Sequence, residues 1–209
     1  TVMSIDAVEA DDIIAYLSKS VCNSKTTIVS TDKDFLQLVN DKIQVWRPTT
    51  KQLYTEKEIQ EEYEIIPKNF LLWRLFEGDS SDNIQGIKGI GRKTLLKAIP
   101  EIAVNELEYT DIVSIANEKI ISGDKKKIYT TIANNLSVLE INHKLMQLEN
   151  VEISGEIKKR TRDIFNDIPA KINYLQLKKL LAQDKFNHMI KDTDAWIRNS
   201  FMGLDQYAK

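Results

Sequence analysis

A chain of 209 residues, 42% hydrophobic and 29% charged, is long enough for one large domain or two small ones around a sizeable core. Its 29 basic residues are offset by 31 acidic ones, and a pI near 5.8 excludes a uniformly basic nucleic-acid binder, so the placement of charge matters more than its sum. A lone cysteine, Cys22, excludes an internal disulfide, and with no long apolar run or signal-peptide pattern a soluble, cytoplasmic protein is expected, with no membrane association.

The chain opens on Thr1 rather than methionine and is read as a fragment whose N-terminal part is missing, residues 1–5 being a strand remnant. Apolar positions at Ala10, Ile13, Ile14 and Leu17 predict a helix from Ala7 to about Cys22, with Asp6 and Glu9 in capping-box spacing. Thr26 to Ser30 reads as a buried strand, and Lys33 to Val39 as a short helix capped by Ser30 or Thr31. Ile43–Trp46 and Gln52–Tyr54 read as paired strands around the turn at Pro48. This order suggests an α/β fold with a sheet largely parallel at its centre.

Thr55, with Glu58 at the capping-box position, starts a helix to about Tyr63, and Pro67 opens another through the apolar run ending at Phe76. Beyond Thr94 the rest reads helical: Lys93–Ile99, Asp111–Ile121, Lys125 to about Leu136, Gly155–Asn166, and Tyr174–Phe201 with a break near Asp192. Ser137 to Leu148 is ambiguous in type. The expected division is 1–77, 78–110 and a helical C-terminal region, 111–209.

Seven acids fall in three small groups at element ends: Glu9, Asp11 and Asp12; Asp32 and Asp34; Asp79 and Asp82. Each group alone has a local explanation, in helix capping, the helix dipole or an Asx turn. Together they would repel without cations. Carboxylates at the carboxyl edge of a sheet suit hard divalent ions, two of which can clamp the attacking and leaving oxygens of a phosphodiester. The histidines, His143 and His188, lie far along the chain and outside this pattern.

Gly86-Ile87-Lys88-Gly89-Ile90-Gly91 followed by Arg92-Lys93-Thr94 resembles a hairpin between helices, with Ile87 and Ile90 as core anchors. Its glycines would let backbone N–H groups approach a phosphate, with Lys88, Arg92, Lys93 and Lys97 beside it. Two rivals are a P-loop, in which Arg92 misplaces Lys93, and a plain tight turn with solvated lysines.

VEADDIIA (Val8–Ala15), STDKDFLQL (Ser30–Leu38) and GDSSDNIQGIKGIGRKT (Gly78–Thr94) together resemble the 5′-nuclease, or flap endonuclease, superfamily, which includes phage and bacterial 5′→3′ exonucleases and a phage ribonuclease H-like branch. The resemblance covers the chain to about Ile99. It implies the remainder of a PIN-like catalytic core (1–77) with a central, mostly parallel sheet, then a DNA-binding helix–three-turn–helix (78–110) and a helical C-terminal region (111–209). It further implies a metal-dependent, structure-specific 5′ nuclease acting in replication and primer removal, with all seven acids catalytic and binding two Mg2+ ions for which Mn2+ can substitute. Gly86, Lys88, Gly89, Gly91, Arg92, Lys93, Thr94 and Lys97 would contact DNA, and a K+ ion would sit by backbone near Asn83, Ile84 and Ile90. The partners implied are DNA with a 5′ flap, a 5′ end or a single-strand/duplex junction, or an RNA–DNA hybrid, bound by a monomer. The family's N-terminal strand and helical arch are not in the sequence, so the fragment alone is expected to be inactive or nearly so. A non-catalytic DNA-binding module and a PIN-type ribonuclease are the competing readings.

Overall fold

The computed structural model of the chain describes residues 3–167 and 173–203. Residues 4–161 form one compact unit; residues 1–3 with 162–209 form a second. Of the strand remnant read at residues 1–5, residues 1 and 2 lie outside the described residues and 3–5 are not strand.

Helix α1 runs Ala10–Tyr16 and continues as a wider π turn, Leu17–Val21. It starts later than the sequence suggests. Ala7 takes a left-handed conformation (φ 59°), and Glu9 is the extended N-cap with no side-chain cap bond. The Asp6–Glu9 capping box therefore does not form, which leaves the Glu9 carboxylate outside the helix's own hydrogen bonding.

Strand β1 (Thr26–Val29) pairs in parallel with β2 (Ile43–Arg47), Ile28 opposite Val45, and β3 (Gln52–Tyr54) closes the sheet antiparallel to β2. Between β1 and β2 a 3-10 turn, Asp34–Leu38, drives Phe35, Leu36 and Leu38 into the core. Its cap position is Lys33, with no side-chain cap bond; just before it Asp32 Oδ1 accepts from the Asp34 N–H at 2.8 Å and Ser30 Oγ accepts from the Asp32 N–H at 3.1 Å. The cap therefore falls at Lys33 and not at the expected Ser30 or Thr31.

Helix α2 (Glu56–Tyr63) begins at the expected capping box, the Thr55 N–H donating to Glu58 Oε2 at 2.9 Å. Pro67–Asn69 forms a 3-10 turn leading into α3 (Phe70–Glu77), where Phe70 and Trp73 pack with Tyr63 at centroid separations of 5.0–5.9 Å. Helix α3 stops at Gly78 (φ 74°), and a hairpin not foreseen from sequence follows, β4 (Gly78–Asp79) against β5 (Ile84–Gln85). Two residues per strand carry no periodicity to read. Helix α4 (Arg92–Ala98) comes next, with Ile87 and Ile90 buried beneath the turn as expected.

The remaining helices of this unit are α5 (Tyr109–Ile121), α6 (Lys127–Ala133) and α7 (Leu136–Met146), then α8 (Gly155–Asn166), within which the division between units falls. The ambiguous stretch after Ser137 is helix as far as Met146. Helix α6 is shorter than expected because the chain turns at Asn134–Asn135, and the Asn135 Nδ2 donates back to the Thr131 carbonyl at 2.7 Å.

Three side-chain amides tie these helices to the strand region, so residues up to 161 share one unit with the expected core and DNA-binding segments. Gln37 Nε2 donates to the Met146 carbonyl at 3.0 Å, and its Oε1 accepts from the Leu148 N–H at 2.8 Å. Buried Asn142 donates to the carbonyls of Leu75 (2.8 Å) and Gln85 (3.0 Å). Asn69 bonds the carbonyls of Ile102 and Asn105 and the Leu107 N–H. Removing any of these amides leaves buried backbone groups unpaired, at about 1–3 kcal/mol per group.

In the second unit α9 (Tyr174–Gln183) and α10 (Thr193–Phe201) are separate helices. The expected break lies at Asp192, whose side chain caps α10 through the Ala195 N–H at 2.8 Å. Lys178 and Asp194 form an ion pair within this unit.

Candidate active site

The three acidic groups reach one region from different elements. Glu9, Asp11 and Asp12 stand at the start of α1; Asp32 and Asp34 follow β1; Asp79 and Asp82 lie on and after β4. Glu9, Asp11, Asp12, Asp34 and Asp82 line one cavity, with Lys144 of α7 at its edge. Asp32, Asp79 and Asp82 line a second, with Arg47 and Arg74. Asp82 borders both.

Electrostatics shows how close the groups are. Burial pushes the Asp11 carboxyl above its ordinary range, and Asp32, Glu9, Asp34 and Asp12 add to the rise. Asp12 is raised by burial and then by Glu9. Asp34 is raised by burial against the opposing pull of Arg74, with Asp32 and Asp79 adding to it. Asp79 goes the other way, down to about 2, held there first by the Ser81 hydroxyl and then by its bonds to the Ser81 N–H and Arg74.

Arg74 is the feature the sequence reading missed. It sits on α3, its side chain 7% exposed, and spends its donors on three acids. Nε meets Asp34 Oδ1 at 3.0 Å, Nη1 meets Glu77 Oε2 at 2.8 Å and the Gly78 carbonyl at 3.2 Å, and Nη2 meets Asp79 Oδ2 at 2.5 Å. The other Asp79 oxygen accepts from the Ser81 hydroxyl and N–H. A lone arginine within FLLWRLFE was the available signal.

Asp34 and Asp79 therefore have a cation in the fold, whereas the neighbours acting on Asp11 are all carboxylates. That donor chemistry fits hard divalent cations. Among the described residues no three His, Cys, Asp or Glu side chains come together closely enough to hold a metal ion between them. Mg2+ tolerates such openness because it retains several waters and takes only one or two carboxylates directly. His143 does not line either acid cavity and packs on the Tyr109 ring at 5.1 Å; His188 belongs to the second unit.

The glycine-rich segment divides into an inward and an outward half. A Cβ at Gly86 would lie 2.0 Å from the Glu77 carbonyl oxygen, and one at Gly78 would lie 2.4 Å from the Ile84 carbonyl oxygen and the Gly86 nitrogen. The Ile87 N–H donates to the Phe76 carbonyl at 2.7 Å. Gly86 thus serves close packing against the end of α3, not an approach to phosphate. Its neighbours Ile87 and Ile90 are buried, which suits the hairpin and not a P-loop cradle. Of the residues expected around K+, Asn83 is left-handed (φ 58°) at the β4–β5 turn, Ile84 pairs with Asp79 and its carbonyl faces Gly78, and the Ile90 N–H bonds the Ile87 carbonyl.

Gly89 and Gly91 have open space where a Cβ would go, and Lys88, Lys93 and Lys97 lie at the surface with Thr94 beside them. Lys93, Thr94 and Lys97 share a groove with Glu64 and Leu96. Arg92 departs from expectation: its guanidinium donates to the Glu62 carbonyl at 2.7 Å and lies over the Tyr63 ring at 5.1 Å, so it fastens α4 to α2.

Residues 1–64 match the model of the 5′-3′ exonuclease N-terminal, resolvase-like domain. A curated 5′-3′ exonuclease of Buchnera aphidicola (subspecies Acyrthosiphon pisum) is 34% identical over 88% of this chain and 59% of its own length, so the chain spans about three fifths of that relative. Solved structures of the bacteriophage T5 5′-exonuclease with zinc, and of the T5 flap endonuclease in a pseudo-enzyme–product complex with DNA and metal ions, each superpose with a TM-score of 0.65. Each is 25% identical and covers 78% of this chain and 61% of the T5 chain. The motif blocks, the α/β fold and these relatives agree with one another and support the 5′-nuclease superfamily.

Proposed function

We propose that this chain carries the metal-binding and duplex-holding parts of a structure-specific 5′ nuclease, a 5′→3′ exonuclease or flap endonuclease that hydrolyses phosphodiesters in DNA replication. The observation that carries this is Asp11, half-buried and acted on by four other carboxylates drawn from two chain segments. Such an arrangement is stable at neutral pH with cations present.

Glu9, Asp11, Asp12, Asp32, Asp34, Asp79 and Asp82 would hold two Mg2+ ions, or Mn2+ in their place. When bound, these would polarise the scissile phosphodiester and activate the attacking water. The chain's own part is to fix the carboxylates. The Glu9 cap position leaves its acid free of α1's own hydrogen bonds, the Asp32 bond to the Asp34 N–H sets the turn after β1, and Arg74 fixes one oxygen of Asp34. Lys88, Lys93, Thr94 and Lys97, with the open backbone at Gly89 and Gly91, would hold phosphates of the duplex, contacts that position without reading sequence. A K+ ion near Asn83, Ile84 and Ile90 would steady that turn. The substrates fitting this division are DNA with a 5′ flap, a 5′ end or a single-strand/duplex junction, or an RNA–DNA hybrid, acted on by a monomer.

The test is a Mn2+ titration followed by paramagnetic resonance, together with cleavage of a 5′-flap duplex in Mg2+ against an EDTA control. Bound Mn2+ that is lost in the Asp11→Asn/Asp12→Asn variant is expected, with metal-dependent cleavage by this chain alone weak or absent. Absence of Mn2+ binding at millimolar concentration sinks the reading. Bound DNA with no bound Mn2+ would favour a DNA-binding module.

A further inference from the structure

We infer that the cavity beside the acid cluster, bounded by the turn after β1, the end of β2 and the turn after β4, is a phosphate subsite in which Arg47 and Lys33 hold a second phosphate of the strand being cut. The inference rests on the metal-binding reading above and leaves the seven acids in the role given there. It adds two cations that belong neither to the acids nor to the glycine-rich segment.

The cavity spans about 660 Å³, within the size range of small-ligand sites. Asp82 lines both it and the acid cavity, so a strand held over the acids can pass from one into the other. Arg47 is the last residue of β2, opposite Gln52 of β3. Its Nη2 donates to the Thr31 carbonyl at 3.0 Å, and its guanidinium lies over the Tyr54 ring at 5.9 Å. Those contacts fix the fork without using it up, since Nε is buried and has no hydrogen-bond partner among the described residues. A buried donor left unpaired is costly, and the planar fork that carries it matches the oxygens of a phosphate. Lys33, exposed at the cap position of the 3-10 turn, brings a second positive charge to the same cavity.

The balance of charge around the cavity sets the condition for binding. Three cations, Lys33, Arg47 and Arg74, face four carboxylates, a formal excess of one negative charge that would turn a phosphate away. Divalent ions on the acids reverse this balance. Arg47 should therefore contribute to DNA binding when metal is present and little without it. Lys93 and Lys97 differ, because their groove holds a single acid, Glu64. The ligand class is a phosphate ester of a nucleic-acid strand, either an internal diester or a terminal 5′ monophosphate.

The experiment measures binding of the full chain to duplex DNA with a 5′ single-stranded extension, by fluorescence anisotropy in Mg2+ and in EDTA, beside Mn2+ binding and melting curves. Arg47→Met should weaken DNA binding about tenfold in Mg2+ and less than about twofold in EDTA, since it removes a charge-assisted bond to phosphate. Its Mn2+ binding should not weaken, and its melting temperature should hold, because the substitution removes an unpaired buried donor. Arg47→Lys keeps the charge but not the fork and should lose about threefold. Lys33→Ala should lose about threefold and lower the salt slope by about 0.7 to 0.9. Two arms separate the sources of phosphate. A loss confined to DNA bearing a 5′-phosphate assigns the subsite to a terminal monophosphate, and an equal loss with 5′-hydroxyl DNA assigns it to an internal diester. Unchanged DNA binding in a folded Arg47→Met that still binds Mn2+ overturns the inference, as does an equal loss in Mg2+ and EDTA. A lower melting temperature with unchanged DNA binding would make Arg47 a structural residue and overturn it too. Should Arg47→Met fail to fold, Arg47→Lys and Lys33→Ala decide, and parent-like binding in both overturns it. Failure of the unaltered chain to bind Mn2+ is a different result, since it removes the metal-binding reading underneath.

Discussion

Gly86 and Gly91 stand in the same short segment and have opposite reasons for being glycine. At Gly86 a single added carbon would lie inside the Glu77 backbone, whereas at Gly91 it would meet nothing within 4 Å. The contrast extends to their neighbours. From Gly78 to Ile87 the chain is fastened to α3 by backbone and by Arg74; from Lys88 to Lys97 its lysines face outward. One half is shape and the other is surface, so substitutions in the two halves should fail different assays.

The largest expected difference is between Gly86→Ala and Gly91→Ala. The first forces backbone apart and should cost about 3 kcal/mol or more, a fall in melting temperature of roughly 6–12 °C for a chain of this size. The second should stay within about 0.5 kcal/mol. Equal melting temperatures in the two variants would erase the inward–outward distinction.

A smaller effect is expected at Asp79. Its carboxyl is depressed to about 2 from an ordinary value of 3.8, so it adds stability that is fully present above the ordinary value and is lost as pH falls toward 2. Asp79→Asn should therefore be less stable than the parent at pH 5, by at most about 2 kcal/mol, and the gap should close by pH 2. Denaturant titrations at both values measure it. A gap that persisted at pH 2 would mean that the loss comes from packing and not from the ionised carboxylate.

The smallest effect on stability belongs to Lys93→Ala. This surface lysine should leave the melting temperature unchanged while lowering affinity for duplex DNA and reducing the salt slope by about 0.9 for each phosphate left without its counter-charge. A reduced melting temperature with an unchanged slope would return Lys93 to a structural role.

What could be read from sequence follows the range of the physics involved. The Thr55–Glu58 box was legible because both partners lie within one helical turn. The same spacing at Asp6 and Glu9 misled, because Ala7 adopts φ 59° and the helix starts after Glu9, a choice made by the surrounding fold. Ile87 and Ile90 were legible as anchors, since apolar side chains in a glycine turn need somewhere to go. The grouping of the acids at element ends was legible too. Their division into paired and unpaired was not, because Arg74 reaches Asp34 across 40 residues of sequence and nothing local names that partner. The second role of Arg92 was hidden for the same reason: a basic residue beside glycines reads as a phosphate contact, and nothing local names the Glu62 carbonyl and the Tyr63 ring beneath it.

The Gln37 clamp bears on how the molecule comes to exist. Its two bonds span 109 and 111 residues, and the acid cavity takes its lining from Glu9 through Glu152. Long-range closures of this kind form late, because chain entropy is lost before the contacts return it. During synthesis, then, the carboxylates of α1 emerge from the ribosome well before the chain that completes their enclosure. The nascent chain must carry that concentration of negative charge open to solvent until residues beyond Leu148 have been made.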